Sequence, residues 1–159
     1  MVSDSTAATL AALSVTISFP FFLYGAWYAI DTEVMTWDRL LYHLKFVVTG
    51  LVLTTVPMVL WMIPRLMDQF GGLAVVHAFL GLQAYALLIL ALTGIVRIFQ
   101  AKRRADLYRN PDPDADIGEL HENMGAWRRR LRVGVFGYLI LWILAYLVGI
   151  YRYLIDYVV

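Results

Sequence analysis

Three histidines, His43, His77 and His121, are the side chains in this chain best fitted to do chemistry. An imidazole can exchange a proton near neutral pH or give a lone pair to a metal ion. Around them the reactive groups are sparse. No HExxH, Walker A or GxGxxG sequence is present, and no nucleophile stands near a base. The string DPDAD at 112–116 spaces its carboxylates like a calcium loop, but its glycine, Gly118, comes one position late, and Asn123 stands where the terminal glutamate belongs. The absence of cysteine excludes disulfides, thiolate metal sites and iron–sulfur clusters. An enzyme with its own turnover therefore has no acid–base or nucleophile constellation to work with.

His77, Gly81, Ala84, Leu88, Ala91 and Ile95 follow 4-3-4-3-4 spacing and share one helix face. Small residues on such a face admit a neighbouring helix or a flat ligand. His77 is thus expected to point into a bundle, either packed and bonded to a carbonyl or hydroxyl, or ligating a haem iron. Gln83 lies near the middle of the same stretch, where its amide needs a partner on another helix or on a quinone-like ligand. Tyr138, Trp142 and Tyr146 recur every fourth residue. They are core packing, or, for Trp142 and Tyr146, the walls of a flat cofactor site.

The elements that must position these residues are membrane helices. The chain is 61% hydrophobic and 16% charged, which sets it apart from soluble proteins. A hydrocarbon core about 30 Å thick needs roughly 20 apolar residues per crossing, and four stretches qualify: 8–30, 40–63, 73–96 and 133–157. The spacing predicts an all-α, integral membrane four-helix bundle in up-down order, forming a single membrane domain over 1–159. The first apolar run lacks a basic lead and is too long for a signal peptide, so it reads as a retained helix. Pro20 and Pro57 predict kinks in helices one and two. Thr36 or Asp38 is expected to cap helix two. Pro64 ends it, and the tight turn at Gly71–Gly72 predicts that helices two and three are antiparallel neighbours. No charge lies near the middle of any span, which argues against a pump, a proton-coupled transporter or a carrier of charged substrates.

Helix three is expected to continue past Arg97 to about Arg109. After the turn NPDPDAD, Asp116 and Glu119 form a capping-box pattern for a new helix that runs into helix four. Helices three and four would then form a helical hairpin over 97–132. Leu120, Met124, Trp127 and Leu131 make an apolar stripe on it. The extension after Arg97 is expected to cover this stripe through Ala101, Ala105 and Tyr108, and the same stripe could dock a partner subunit. Nine of the 13 Lys and Arg residues lie between Arg97 and Arg132. The positive-inside rule makes this connection cytoplasmic and puts both termini outside a plasma membrane. The cluster Arg128, Arg129, Arg130 and Arg132 is then the topology signal and a contact for anionic headgroups, with haem propionates or an acidic partner protein as alternatives.

The sequences HAFLG at His77 and HENMG at His121 both fit H-x3-G, and the run from His77 to Ile98 resembles a helix of the cytochrome b561-type membrane cytochromes. That resemblance implies b-type haem held between histidines of helices two apart in sequence. Carried over, His43 would pair with His121, and His77 would be an alternative ligand that needs a partner on helix one or late in helix four, where no histidine lies. His121 precedes the apolar run at Val133 by 12 residues, about 18 Å of helix, so the pair requires an offset between helices or an earlier start to span four. As a whole the sequence also resembles four-helix membrane proteins of halophilic archaea, with the acidic string NPDPDAD as the shared feature and a respiratory-chain setting as the implication. Two classes follow. One is a small respiratory or electron-transfer membrane subunit binding b-type haem. The other is a haem-free accessory subunit that packs against other membrane subunits, or against copies of itself. The bilayer is a partner in both, and nucleic acid in neither.

Overall fold

The computed structural model describes residues 3–66 and 71–159. Four α-helices follow one another: α1 (Asp4–Asp31), α2 (Trp37–Pro57), α3 (Gly72–Arg104) and α4 (Met124–Tyr157), with a π-helical segment, Met58–Met62, continuing α2. No strand occurs among the described residues. All four helices are long and apolar enough to cross a membrane. Their outward faces carry the large apolar side chains: Leu23, Leu60, Leu82 and Phe136 are all well exposed. The interior instead holds small and hydroxylated residues, with Ser18 and Ala84 wholly buried and Thr54 nearly so. A surface more apolar than the core is the arrangement a hydrocarbon solvent selects.

The starts of α1 and α2 follow side-chain capping. Ser3 accepts the Thr6 N–H at 3.1 Å, and Thr36, one of the two expected candidates, accepts the Arg39 N–H. Pro20 is accommodated within a continuous α1. Pro57 acts differently: the chain after it takes a π turn, with the Ile63 N–H reaching back five residues to the Met58 carbonyl. A proline lacks the donor that would hold the preceding turn, and a π turn is one way a helix absorbs that loss.

Glycine sets the packing of α3 on α4. A Cβ at Gly134 would lie 2.6 Å from the Ala91 nitrogen, and one at Gly94 would lie 2.6 Å from the Trp127 carbonyl oxygen. The two backbones are therefore in contact, antiparallel along most of their length. α1 packs antiparallel on α2, where the Ser14 hydroxyl donates to the Leu53 carbonyl (2.7 Å) and Gly50 lies against the Phe22 ring. The two pairs join through α1 and α4: Phe19 and Phe22 meet the Trp142 ring at centroid distances of 4.6 and 5.5 Å.

The expected neighbourhood of helices two and three takes a looser form. They are antiparallel, but their backbones stay apart, and among the described residues they meet through side chains: the Thr55 and Tyr85 hydroxyls at 2.9 Å, and the Trp37 and Phe99 rings at a centroid distance of 6.0 Å. α1 and α4 have taken up the close partners of both. Part of the turn between α2 and α3, residues 67–70, lies outside the described residues.

The connection between α3 and α4 is also less helical than the sequence suggests. α3 ends at Arg104, and Asp106 takes a left-handed backbone (φ 55°) that stops it. Asp116 does not start a helix. Its carboxylate accepts the Gly118 N–H at 2.7 Å in a local turn, and α4 begins only at Met124. The stripe faces α3: Met124 is 1% exposed, and Leu120 and Trp127 share a small pocket with Ala101 and Ala105. Tyr108 instead joins Trp37 and Phe99 in an aromatic cluster, with Lys102 over its ring. The Trp37 N–H donates to the Tyr108 carbonyl (3.0 Å), so this cluster ties the α3–α4 connection to the start of α2 at the same end of the bundle. Burial there pushes the Tyr108 phenol above its ordinary range.

Gly134→Leu is expected to destabilise the fold by about 3 kcal/mol, the upper part of the overpacking range. Gly125→Ala, where a Cβ meets nothing within 4 Å, should shift stability by about 1 kcal/mol at most, in the favourable direction. Thermal loss of helical circular dichroism in detergent compares the two, and equal midpoints would refute the close α3–α4 contact.

Candidate functional site

Because α2 and α3 stay apart, the bundle is open along one seam. In the half that holds both chain ends, the seam widens into a cavity of about 710 Å³. The π-helical segment and the end of α2 form one wall and the first turns of α3 the other. α1 and α4 close the back with Ala11, Trp142 and Tyr146. The volume falls within the range of small-molecule sites, and the lining is mostly apolar with a few polar tips.

His77 stands on the α3 wall. Its imidazole rests on the bare backbone of Gly149 in α4: a Cβ there would lie 2.9 Å from His77 Cε1. The expected small-residue face is realised in part. Ala84 and Ala91 are buried against the bundle, but Ile95 is 41% exposed and Gly94 takes its place at the contact with α4. Gly81 has nothing within 4 Å of its Cβ position and lines the cavity instead. Gln83 is exposed on the outward face, away from any interhelical bond among the described residues.

Hydroxyl pairs fix the cavity's rim. Thr9 and Thr16 of α1 each donate to the carbonyl four residues back. Each has thereby used its proton, so the Tyr153 and Tyr146 hydroxyls of α4 donate to them, at 3.0 and 3.1 Å. Tyr85 reaches Thr55 across the seam. At the mouth, Arg65 pairs with Asp4 and lies over the Trp61 ring, 5.4 Å from its centroid. Arg152 stands 3.8 Å from Asp156. The Trp61 indole N–H, at the wall, is buried with no acceptor among the described residues.

Trp142 and Tyr146 both form cavity wall and core. Trp142 is 8% exposed, stacked between Tyr138 and Tyr146 and met by Phe19. Trp61 and Tyr85 were not singled out in the sequence. Their signal was a polar-tipped aromatic inside an apolar span, where the polar atom needs a partner.

The other two histidines belong to different surroundings. His43, on α2, meets the Gly25 carbonyl of α1 through Nδ1 at 2.9 Å. A carbonyl only accepts, so Nδ1 carries a proton, and in the neutral ring the lone pair is on Nε2. His121 lies in the turn before α4, its ring 4.4 Å from that of Trp127, and its Nδ1 accepts the Asn123 N–H at 3.0 Å. The neutral ring there carries its proton on Nε2. His43 is thus set to ligate through Nε2 and His121 is not. No group of three or more His, Asp or Glu side chains arranged for a metal ion occurs among the described residues. Arg129, Arg130 and Arg132 are exposed on the first turns of α4, with Arg128 half-buried beside them.

Nitrogen-15 NMR of labelled protein should find the neutral His43 as the Nδ1–H tautomer and the neutral His121 as the Nε2–H tautomer. The same tautomer at both would contradict these bonds.

The chain belongs to the family described as Domain of unknown function (DUF7321), which matches it over residues 4–158. No curated protein and no solved structure matches it.

Proposed function

We propose, starting from a family whose description assigns no activity, that this chain is a small membrane subunit of respiratory or electron-transfer type that holds a lipophilic, quinone-class ligand in the seam between α2 and α3. The observation that carries this reading is the cavity of about 710 Å³ bordered by His77, Trp61 and Tyr85. Apolar walls suit a prenyl or acyl tail, and a polar head meets an imidazole, an indole N–H and tyrosine hydroxyls, groups that bond a carbonyl or hydroxyl oxygen. Among the described residues, the hydrogen bond between α2 and α3 that a ligand entering from the bilayer would part is Thr55–Tyr85. The positive-inside rule, applied to the basic residues from Arg97 to Arg132, makes the α3–α4 connection cytoplasmic in a plasma membrane. The cavity then opens in the outer half.

A second reading, b-type haem, has one observation in its favour: His43 donates Nδ1–H to a carbonyl, the outer-shell bond typical of an imidazole that ligates through Nε2. His121 as its partner, the pairing implied by the cytochrome b561 resemblance, would have to exchange its present bond to Asn123. A haem-free accessory role for the chain, beside other membrane subunits or further copies, is compatible with quinone binding.

The test is quenching of tryptophan fluorescence by a short-chain quinone, with the protein in lipid nanodiscs. Saturable quenching is expected, with affinity reduced about tenfold or more in Gly81→Leu, which puts a side chain into the cavity at a position where a Cβ meets nothing within 4 Å. Linear quenching, or an unchanged Gly81→Leu variant, would refute the site. A sharp b-type band in the dithionite-reduced minus oxidised spectrum, lost in His43→Ala, would put haem first.

A further inference from the structure

A second pocket, of about 300 Å³, lies at the opposite end of the bundle, between the last turns of α3 and residues 120–127. From α3 it is lined by Arg97, Gln100 and Arg104, and from the turn before α4 by His121. Ala101 and Ala105 leave its floor low, and Leu120 and Trp127 make one side apolar. We propose that this pocket binds a phosphate ester, the headgroup of an anionic phospholipid or a soluble phosphate, on a cradle of two guanidiniums, one amide and one imidazole N–H.

Arg97 and Arg104 lie two turns apart on one face of α3, so both guanidiniums can reach a common anion. Among the described residues neither has an ion-pair or hydrogen-bond partner. No Asp or Glu lines the pocket. Three carboxylates adjoin lining residues in sequence, Asp106, Glu119 and Glu122; Asp106 accepts from the Asn110 side chain and Glu122 from the Asn123 side chain (3.3 Å). The Asn123 backbone N–H holds His121 Nδ1, so the ring offers Nε2–H, a donor, and Trp127 fixes its plane. Arginine is the side chain whose planar fork best matches phosphate oxygens. The first turn of α4 has no side-chain cap, which adds positive potential on that side.

Arg97 is also the first Lys or Arg of α3, at the close of its apolar run. An anion bound here would sit where the hydrocarbon-facing part of the helix gives way to the charged part, at headgroup depth. The apolar side formed by Leu120 and Trp127 suits the glycerol end of a lipid better than a free ion. Arg129 and Arg130, two exposed arginines of α4, do not line the pocket, so they serve as a charge-matched control.

Native mass spectrometry of the delipidated full chain in detergent tests this with three probes: dioleoyl phosphatidylglycerol, dioleoyl phosphatidylcholine and inorganic phosphate. One phosphatidylglycerol is expected to bind about tenfold or more tighter than phosphatidylcholine. The R97Q/R104Q double variant should lose about that tenfold preference, while R129Q/R130Q keeps it. Inorganic phosphate that displaces the lipid assigns the site to the headgroup phosphate. Inorganic phosphate that binds through Arg97 and Arg104 without any lipid preference assigns it to a soluble ester. If the double variant loses helical circular dichroism, Gln100→Glu places a carboxylate among the donors and should abolish binding in a folded chain. Retention of phosphatidylglycerol by R97Q/R104Q or by Gln100→Glu, or an equal loss in R129Q/R130Q, would overturn the proposal.

Discussion

Backbone contact between α3 and α4 is the constraint on which the rest of this bundle depends. Hydrocarbon offers no hydrophobic drive for helices to associate, so contact must come from close van der Waals approach and a few polar bonds. Gly94 and Gly134 provide that approach where any side chain would collide with the facing backbone. Once α3 is drawn this tightly onto α4, and α1 onto α2, the aromatic contacts of Phe19 and Phe22 with Trp142 lock the two pairs together at their middle. α2 and α3 are left as the outermost members of the row, and the seam between them follows from the pairing.

Polar atoms finish what glycine begins. Each α1–α4 bond pairs a threonine that has spent its proton on its own helix with a tyrosine that must donate. Those bonds have one direction available, which fixes the rotation of α4 about its axis. That rotation turns Gly149 toward α3 and gives the His77 ring its flat seat. The position of a candidate ligand-binding imidazole thus traces back to two threonines on a helix whose backbone stays apart from α3.

Much of the architecture was legible in the sequence because it rests on local patterns. The four spans came from apolar length, the cap at Thr36 from its place before Trp37, and the break near Pro57 from the missing N–H. The buried face of α3 was half legible: Ile95 lies five full helical turns from His77, yet its neighbour Gly94 meets α4, because only a residue without a side chain lets the Trp127 carbonyl come that close. The helix start at Asp116 failed because aspartate bonds its own neighbouring N–H as readily as it caps. The cavity was not legible, since it depends on which helices pair, and the turn at Gly71–Gly72 suggested closer company for α2 and α3 than the bundle gives them. Trp61 was passed over for the same reason, because its importance depends on what stands across the seam.

The π turn after Pro57 inserts one residue into the helical count. One residue is roughly 100° of rotation in a helix, so Trp61 and Arg65 face a different direction from the one a regular continuation of α2 would give them. Were the turn to relax to ordinary α-geometry, the indole and the guanidinium would swing together around the axis, carrying the hold on Asp4 with them. The cavity wall on that side is therefore set by a phase of the backbone.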